Sequence, residues 1–220
     1  MKRHGLILSV LCVSIISGCA NNNSQSKDLT EKPKVEVKSL ENIHSVILSV
    51  KKNERFLDGL YNSLSKRGID QIAWMLPEKD MIRFRSHAIN NVDFSGLSLN
   101  DAFSKMADNL GVRANLHYHL SDNVAAVVSW DGETEISIVE GEHLKEALKN
   151  ISKDYSWNWI EDGKQGQSYL ATSNYNFPYK YPLATKKGDF GQAISSIISA
   201  YPVRAELNEN NRTVTILDAK

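Results

Sequence analysis

From Ile89 to Leu120 the apolar residues change their spacing twice, which restricts the chain to folds that lay helices on a sheet. Ile89 to Phe94 reads as a strand. Behind Ser98, a good N-cap, Leu99, Ala102, Phe103, Met106, Ala107 and Leu110 recur at threes and fours, and this helical face stops at Gly111. Val112 to Leu120 then alternates apolar and polar residues, as a half-buried strand does. Val124 to Ser129 and Thr134 to Val139 are further β-prone runs, divided by the turn-like Asp131-Gly132. After Gly141, Leu144, Ala147, Leu148 and Ile151 mark a second helix. Tyr155 to Ile160 and Ser168 to Thr172 bracket Glu161-Asp162-Gly163-Lys164 as a hairpin. The order βαββαββ over residues 89–173 predicts a small α+β sandwich, with two helices on one face of a short mixed sheet.

A further unit follows over residues 174–220. Tyr179 to Leu183 is strand-like, and Phe190, Ile194, Ile197 and Ile198 line a helix. Val203 to Leu207 pairs with Thr213 to Leu217 across Asn208–Asn211. The pattern fits a second small lobe or an extension of the first sheet. The two units share a helix-then-hairpin rhythm, without side-by-side identity that marks a repeat. Upstream, residues 40–88 open with Leu40, Ile43, Ile47, Val50, Leu57, Tyr61 and Leu64, read as one amphipathic helix ending at Gly68. That helix packs on its own domain or on a neighbouring subunit. Trp74, Met75 and Leu76 before Pro77 form a short buried corner, followed by an extended segment from Met81 to Ala88.

The first residues set the address. Lys2, Arg3 and His4 precede an apolar run from Leu6 to Ile16, which has the anatomy of a secretory leader and is too short to span a bilayer comfortably. Ser17 and Gly18 stand before Cys19, an arrangement that resembles the lipobox of bacterial lipoproteins. The expected processing removes residues 1–18 and leaves an acylated Cys19. Residues 19–39 are polar apart from isolated positions and read as a disordered tether. Extended, such a tether reaches several tens of ångströms at about 3.3 Å per residue. Ala20 is not the acidic residue that holds such lipoproteins at the inner membrane, so the resemblance implies the outer membrane, periplasmic face.

Once Cys12 leaves with the leader and Cys19 carries lipid, no thiol remains for a disulfide or a catalytic nucleophile. The full chain holds 26 basic and 26 acidic residues; losing Lys2 and Arg3 leaves 24 against 26, a net charge near −2. Nucleic-acid binding would want a strongly basic face. His117 and His119 point to one strand face and could hold a metal, but two ligands make no site, and a polar face with Tyr118 turned into the core is the favoured reading. Asp93, Glu133, Glu135 and Glu140 could supply paired carboxylates, yet all lie at strand ends or turns where solvated carboxylates are ordinary. No catalytic constellation emerges, and neither a metal nor a cofactor is expected. Trp157 and Trp159 share a strand face: exposed, with Tyr155, they would form an aromatic platform; buried, they are core. A free sheet edge is the better functional candidate, because its unpaired backbone groups bind another strand whatever the side chains are.

Val92-Asp93-Phe94-Ser95-Gly96, followed by Leu99 and the helix to Leu110, resembles the DotD and TraH lipoproteins of type IVB secretion and conjugation systems. It also resembles the N-terminal domain of outer-membrane secretins. The continuation through Ile138-Val139-Glu140-Gly141, Leu144, Leu148, Ile151, Tyr155 and Trp157-Asn158-Trp159 is similar to the second helix and closing strands in secretins of type IVb pili. The resemblance covers about residues 89–172 and lacks a secretin pore-forming region. It implies a non-enzymatic, lipid-anchored periplasmic building block of a secretion, conjugation or pilus machine. Its partners would be copies of itself in a ring and other subunits of the complex, a secretin among them. The expected partner-interface residues are Val92, Asp93, Phe94 and Gly96, which could equally be core. The alternative is a freestanding lipoprotein that binds glycan or peptidoglycan on Trp157 and Trp159.

Overall fold

The computed structural model describes residues 46–219. The leader, Cys19, the tether and the first residues of the expected 40–64 helix lie outside the described residues. The fold is α+β, built around two apolar cores and a seam between them.

The first core is enclosed by β1 (Val46–Val50), α1 (Phe56–Ser65), β2 (Gln71–Met75), α2 (Glu78–Phe84), β3 (Val92–Gly96), α3 (Leu99–Asn109), β4 (Asn115–His119) and β5 (Val124–Val128). The second is enclosed by β6 (Thr134–Val139), α4 (Leu144–Asp154), β7 (Tyr181–Lys186), α5 (Phe190–Ile198), β8 (Val203–Asn208) and β9 (Thr213–Asp218). The expected 89–173 module is therefore divided. Its first half shares a core with residues 46–84 and its second half with residues 175–218.

The single helix expected from residue 40 to 64 is a strand, a turn and a shorter helix. Leu48 and Val50 are buried while Ile47 and Ser49 are exposed, a period of two. Asn53, at φ 64°, turns the chain before α1 begins. The expected corner at Trp74 is β2, and the expected extended segment from Met81 is the last part of α2.

A repeat that identity does not reveal organises both halves. The Ser98 hydroxyl caps α3 by accepting the Asp101 N–H at 3.1 Å, and Asp101 Oδ2 accepts the Leu97 N–H at 2.9 Å. At the same place before α4, Glu146 Oε2 accepts the Glu142 N–H at 2.8 Å. Lys105 Nζ donates to the Ser95 carbonyl at 2.6 Å, and its counterpart Asn150 Nδ2 donates to the Glu140 carbonyl at 3.1 Å. Both helices end alike. Gly111 and Ser156 take φ of 62° and 57°, and the Val112 and Trp157 N–H groups bond back to the Ala107 and Ser152 carbonyls.

Each half pairs two such units by one rule. Their first strands run antiparallel, β1 with β3 and β6 with β7. Their last strands meet in parallel, β2 with β5 in the mixed sheet β2-β5-β4, and Tyr169 with Ile216 of β9 in the second half. The hairpin expected across Glu161–Lys164 narrows to the Ser168 N–H donating to the Ile160 carbonyl, and both arms are tied to β9 instead.

The seam is lined by small side chains. Ala73 of β2 and Ala126 and Val128 of β5 face Ala184 of β7, with Ile136 of β6 beside it. β5 is buried on both faces, Ala125 and Val127 toward the first core and Ala126 and Val128 toward the seam. Alanine there lets two sheets approach closely, so the halves share one dry contact.

Candidate functional site: an open strand edge in an acidic groove

On the side away from its partner β7, the outer edge of β6 borders a groove of about 1150 Å³. One wall is the face of β4 and β5 carrying His117, His119 and Val124; the other comes from α4 through Asn150, Lys153 and Asp154. Residues Thr134 to Ile138 line it without interruption, because the strand presents its edge rather than one face.

The ladder identifies which backbone groups are open. The Lys187 N–H bonds to the Glu133 carbonyl at 3.1 Å, so the Glu133–Lys187 pair lies in the bonded frame. Glu135, Ser137 and Val139 then turn their backbone groups toward β7, while Thr134, Ile136 and Ile138 turn theirs into the groove. Pro182 stands opposite Ile138, where a missing N–H costs this ladder nothing. Three residues of β6 therefore offer both a donor and an acceptor to an incoming strand.

Charge in the groove is predominantly acidic. Lys187 Nζ lies 2.5 Å from Glu133 Oε2; this hydrogen bond and ion pair hold the Glu133 carboxyl below its ordinary range and raise the Lys187 ammonium. Glu135 Oε2 accepts the Gly188 N–H at 2.9 Å. Desolvation, and then the neighbouring Glu135 charge, push the Asp154 carboxyl up. His117 is held below the usual imidazole value by desolvation and then by His119, and its Nε2 is buried with no hydrogen-bond partner among the described residues. As expected, both histidines share a face and Tyr118 packs against the first core. Among the described residues no three His, Cys, Asp or Glu side chains converge as metal ligands. The arrangement suits docking: backbone donors and acceptors of β6 and crowded carboxylates face one open slot.

The residues expected to form a partner interface are mostly internal. Phe94 is buried and tilted against Phe56, with ring centroids 6.4 Å apart. Gly96 is buried against the start of α3, and Val92 packs on the first core. Asp93 alone of the four is exposed. Apolar residues at strand positions read equally as core or contact, and the helix behind β3 decides for core.

The tryptophan platform is also corrected. Trp157 is 8% exposed and stacks on Phe190 with centroids 4.4 Å apart. Trp159 is partly buried against the same core, and its Nε1 is enclosed without a partner. The exposed aromatic surface lies instead around Phe177, where Tyr179, Tyr181 and Tyr201 gather, Tyr179 being 61% exposed. Their alternation from Tyr175 to Tyr181 was visible in the sequence, although nothing in it showed that Tyr201 would join them. Comparison with protein-family models, curated proteins and solved structures yields no significant match to this chain.

Proposed function

We propose that this chain is an outer-membrane lipoprotein, anchored through Cys19 on the periplasmic face, that acts as a structural component of an envelope-spanning secretion, conjugation or type IVb pilus apparatus. The observation that supports this most directly is the open edge of β6. A strand whose outward donors and acceptors lie unpaired in a groove is a ready template for another chain. The lipobox-like Ser17-Gly18-Cys19 and the polar stretch behind it suit a body held at a membrane surface and free to reach subunits beside it. No catalytic step enters this role; association would draw on strand addition and apolar burial at subunit faces.

The test is fractionation of envelopes after mild cross-linking. The protein is expected to co-purify with a large envelope complex and its other subunits. Recovery only as a free monomer that sediments with cell-wall material would overturn the assembly role. That outcome would favour the second reading, a glycan-binding lipoprotein. Exposed Tyr179, with the half-buried Tyr181 and Tyr201 around Phe177, gives this reading its platform, since tryptophans 157 and 159 do not.

A further inference from the structure

β8 is the outer strand of its sheet, and its free edge can be assigned residue by residue. The Ala219 N–H donates to the Pro202 carbonyl at 2.9 Å, which sets the 202–219 pair in the bonded frame of the β8–β9 ladder. Arg204, Glu206 and Asn208 then bond to β9, while Val203, Ala205 and Leu207 turn their backbone N–H and C=O groups away from it. The far side of β9 gives the same frame. Ile216, opposite Ala205, donates its N–H to the Ser168 carbonyl at 2.7 Å and accepts the Leu170 N–H at 2.8 Å. Among the described residues no hydrogen bond or β-bridge reaches the outward groups of β8.

The devices that usually blunt an edge are missing along this row. Residues 203–208 hold no proline and no lysine, and their one-to-one register with β9 leaves no bulge. Pro202 stands just before the strand in the bonded frame, where its absent N–H takes nothing from the outward row. The charges on the strand are Arg204 and Glu206, which are exposed and ion-paired with each other. On the opposite face Val203 is buried, and Ala205 and Leu207 are partly buried against the second core.

We propose that two copies of this chain join through β8, antiparallel about a two-fold axis at Ala205, so that the two β8–β9 hairpins become one continuous sheet. The outward frame admits only registers in which odd-numbered residues face odd-numbered residues. Charge selects one of these. With Ala205 opposite Ala205, Arg204 of each copy faces Glu206 of the other, and Val203 covers the incompletely buried Leu207. A slip of two residues in either direction sets Arg204 against Arg204 or Glu206 against Glu206, so the neighbouring registers are repelled. Two observations carry the proposal independently: the uninterrupted row of outward backbone groups and a charge order that is complementary to itself on reversal. The contact is isologous and closes as a dimer. It leaves the β6 edge free for a different subunit, and so goes beyond the assembly reading without depending on it.

The full-length chain in mild detergent, followed by sedimentation velocity, is expected to form dimers and nothing larger as concentration rises. Ala205→Pro removes the central outward N–H and leaves every β8–β9 bond in place; it is expected to stay monomeric with an unchanged far-ultraviolet circular dichroism spectrum. Arg204→Glu and Glu206→Arg change exposed side chains alone and decide the question even where the proline variant fails to fold. Each by itself sets like charges opposite one another and is expected to weaken dimerisation by about tenfold. An equimolar mixture of the two is expected to restore it as a heterodimer, and the double exchange within one chain to restore the homodimer. Ile138→Pro, on the β6 edge, is expected to leave the dimer unchanged.

A wild-type chain that stays monomeric at every concentration would overturn the proposal, as would a dimer that survives a folded Ala205→Pro variant. Charge variants that lose no affinity, or whose mixture recovers none, would overturn the register and with it the proposal. Association abolished by Ile138→Pro would assign self-contact to β6 and overturn it too. The envelope-assembly reading is judged separately, by co-purification with other subunits, so either can fail while the other stands.

Discussion

Gly96 and Gly141 stand at the same point of two repeated units, each passing so close to its helix that a Cβ would lie 2.5 Å from the Ala102 nitrogen in one and 2.7 Å from the Ala147 nitrogen in the other. The obstacle is backbone in both cases, so no side-chain rotation relieves it. Gly96→Ala and Gly141→Ala are each expected to destabilise the protein by about 1–3 kcal/mol, the usual cost of forcing extra volume into a packed site. Urea unfolding of the two variants would measure it.

Trp157 tests whether its ring is core or platform. Trp157→Ala should lower stability by about 3–5 kcal/mol, the range for removing a large buried aromatic, because it leaves the Phe190 face unfilled. Denaturant titration checks the loss. A stability change below about 1 kcal/mol would show the ring to be peripheral.

The seam between the halves depends on small side chains. Ala126 is fully buried there, opposite Ala184. Ala126→Leu is expected to cost about 1–3 kcal/mol through overpacking and to speed amide exchange in β6 and β7. Hydrogen-exchange mass spectrometry would localise that change.

His117 predicts a pH dependence of known sign. Desolvation, then His119, lowers its folded-state pKa, so the native protein resists protonation more than the unfolded chain does. The His117 contribution to stability is thus fully present above the unfolded value, near 6.5, and is lost as pH falls from there toward the folded pKa. His117→Gln should flatten that part of the stability–pH curve. Unfolding measured at several pH values between about 7 and 4 tests it, with NMR titration of the imidazole as a direct readout.

Cys19→Ser tests the anchor. The variant is expected to leave the membrane fraction and become soluble in the periplasm. Unchanged fractionation, or an unacylated amino terminus by mass spectrometry of the wild-type chain, would refute lipidation.

The helices from α3 onward were legible because each carries a strong apolar stripe: Leu99 to Leu110, Leu144 to Ile151 and Phe190 to Ile198 all lie on helical segments. The β8–β9 hairpin was legible for a similar reason, with its turn at Asn208–Asn211. Val46–Val50 was misread because Ile47 and Val50 fall on a helical stripe as well as in a strand, and only the fold shows which of them are buried. Domain limits failed for a different cause. A βαββ unit looks self-contained in sequence, yet each half is closed by pairing such a unit with a second strand-helix unit, and pairing between distant strands leaves no local mark. The repeat stayed hidden since few of its positions, such as Gly96 and Gly141 or Ala102 and Ala147, keep the same residue. What recurs is hydrogen bonding by different side chains, Asp101 and Glu146 or Lys105 and Asn150. The open edge of β6 was foreseen as a kind of site but could not be located, because the groove requires β4 and α4 to arrive from either side.

β9 joins stretches made at very different times. Its Thr213 and Ile216 bridge to Asn158 and Tyr169, and Asp218 accepts the Thr172 hydroxyl at 2.6 Å. The unit begun by β6 therefore waits, unfinished, until β9 has been synthesised and delivered. As the chain emerges the first half can mature while the second still exposes its apolar interior, which makes that interval the window in which chaperones and proteases would judge the chain.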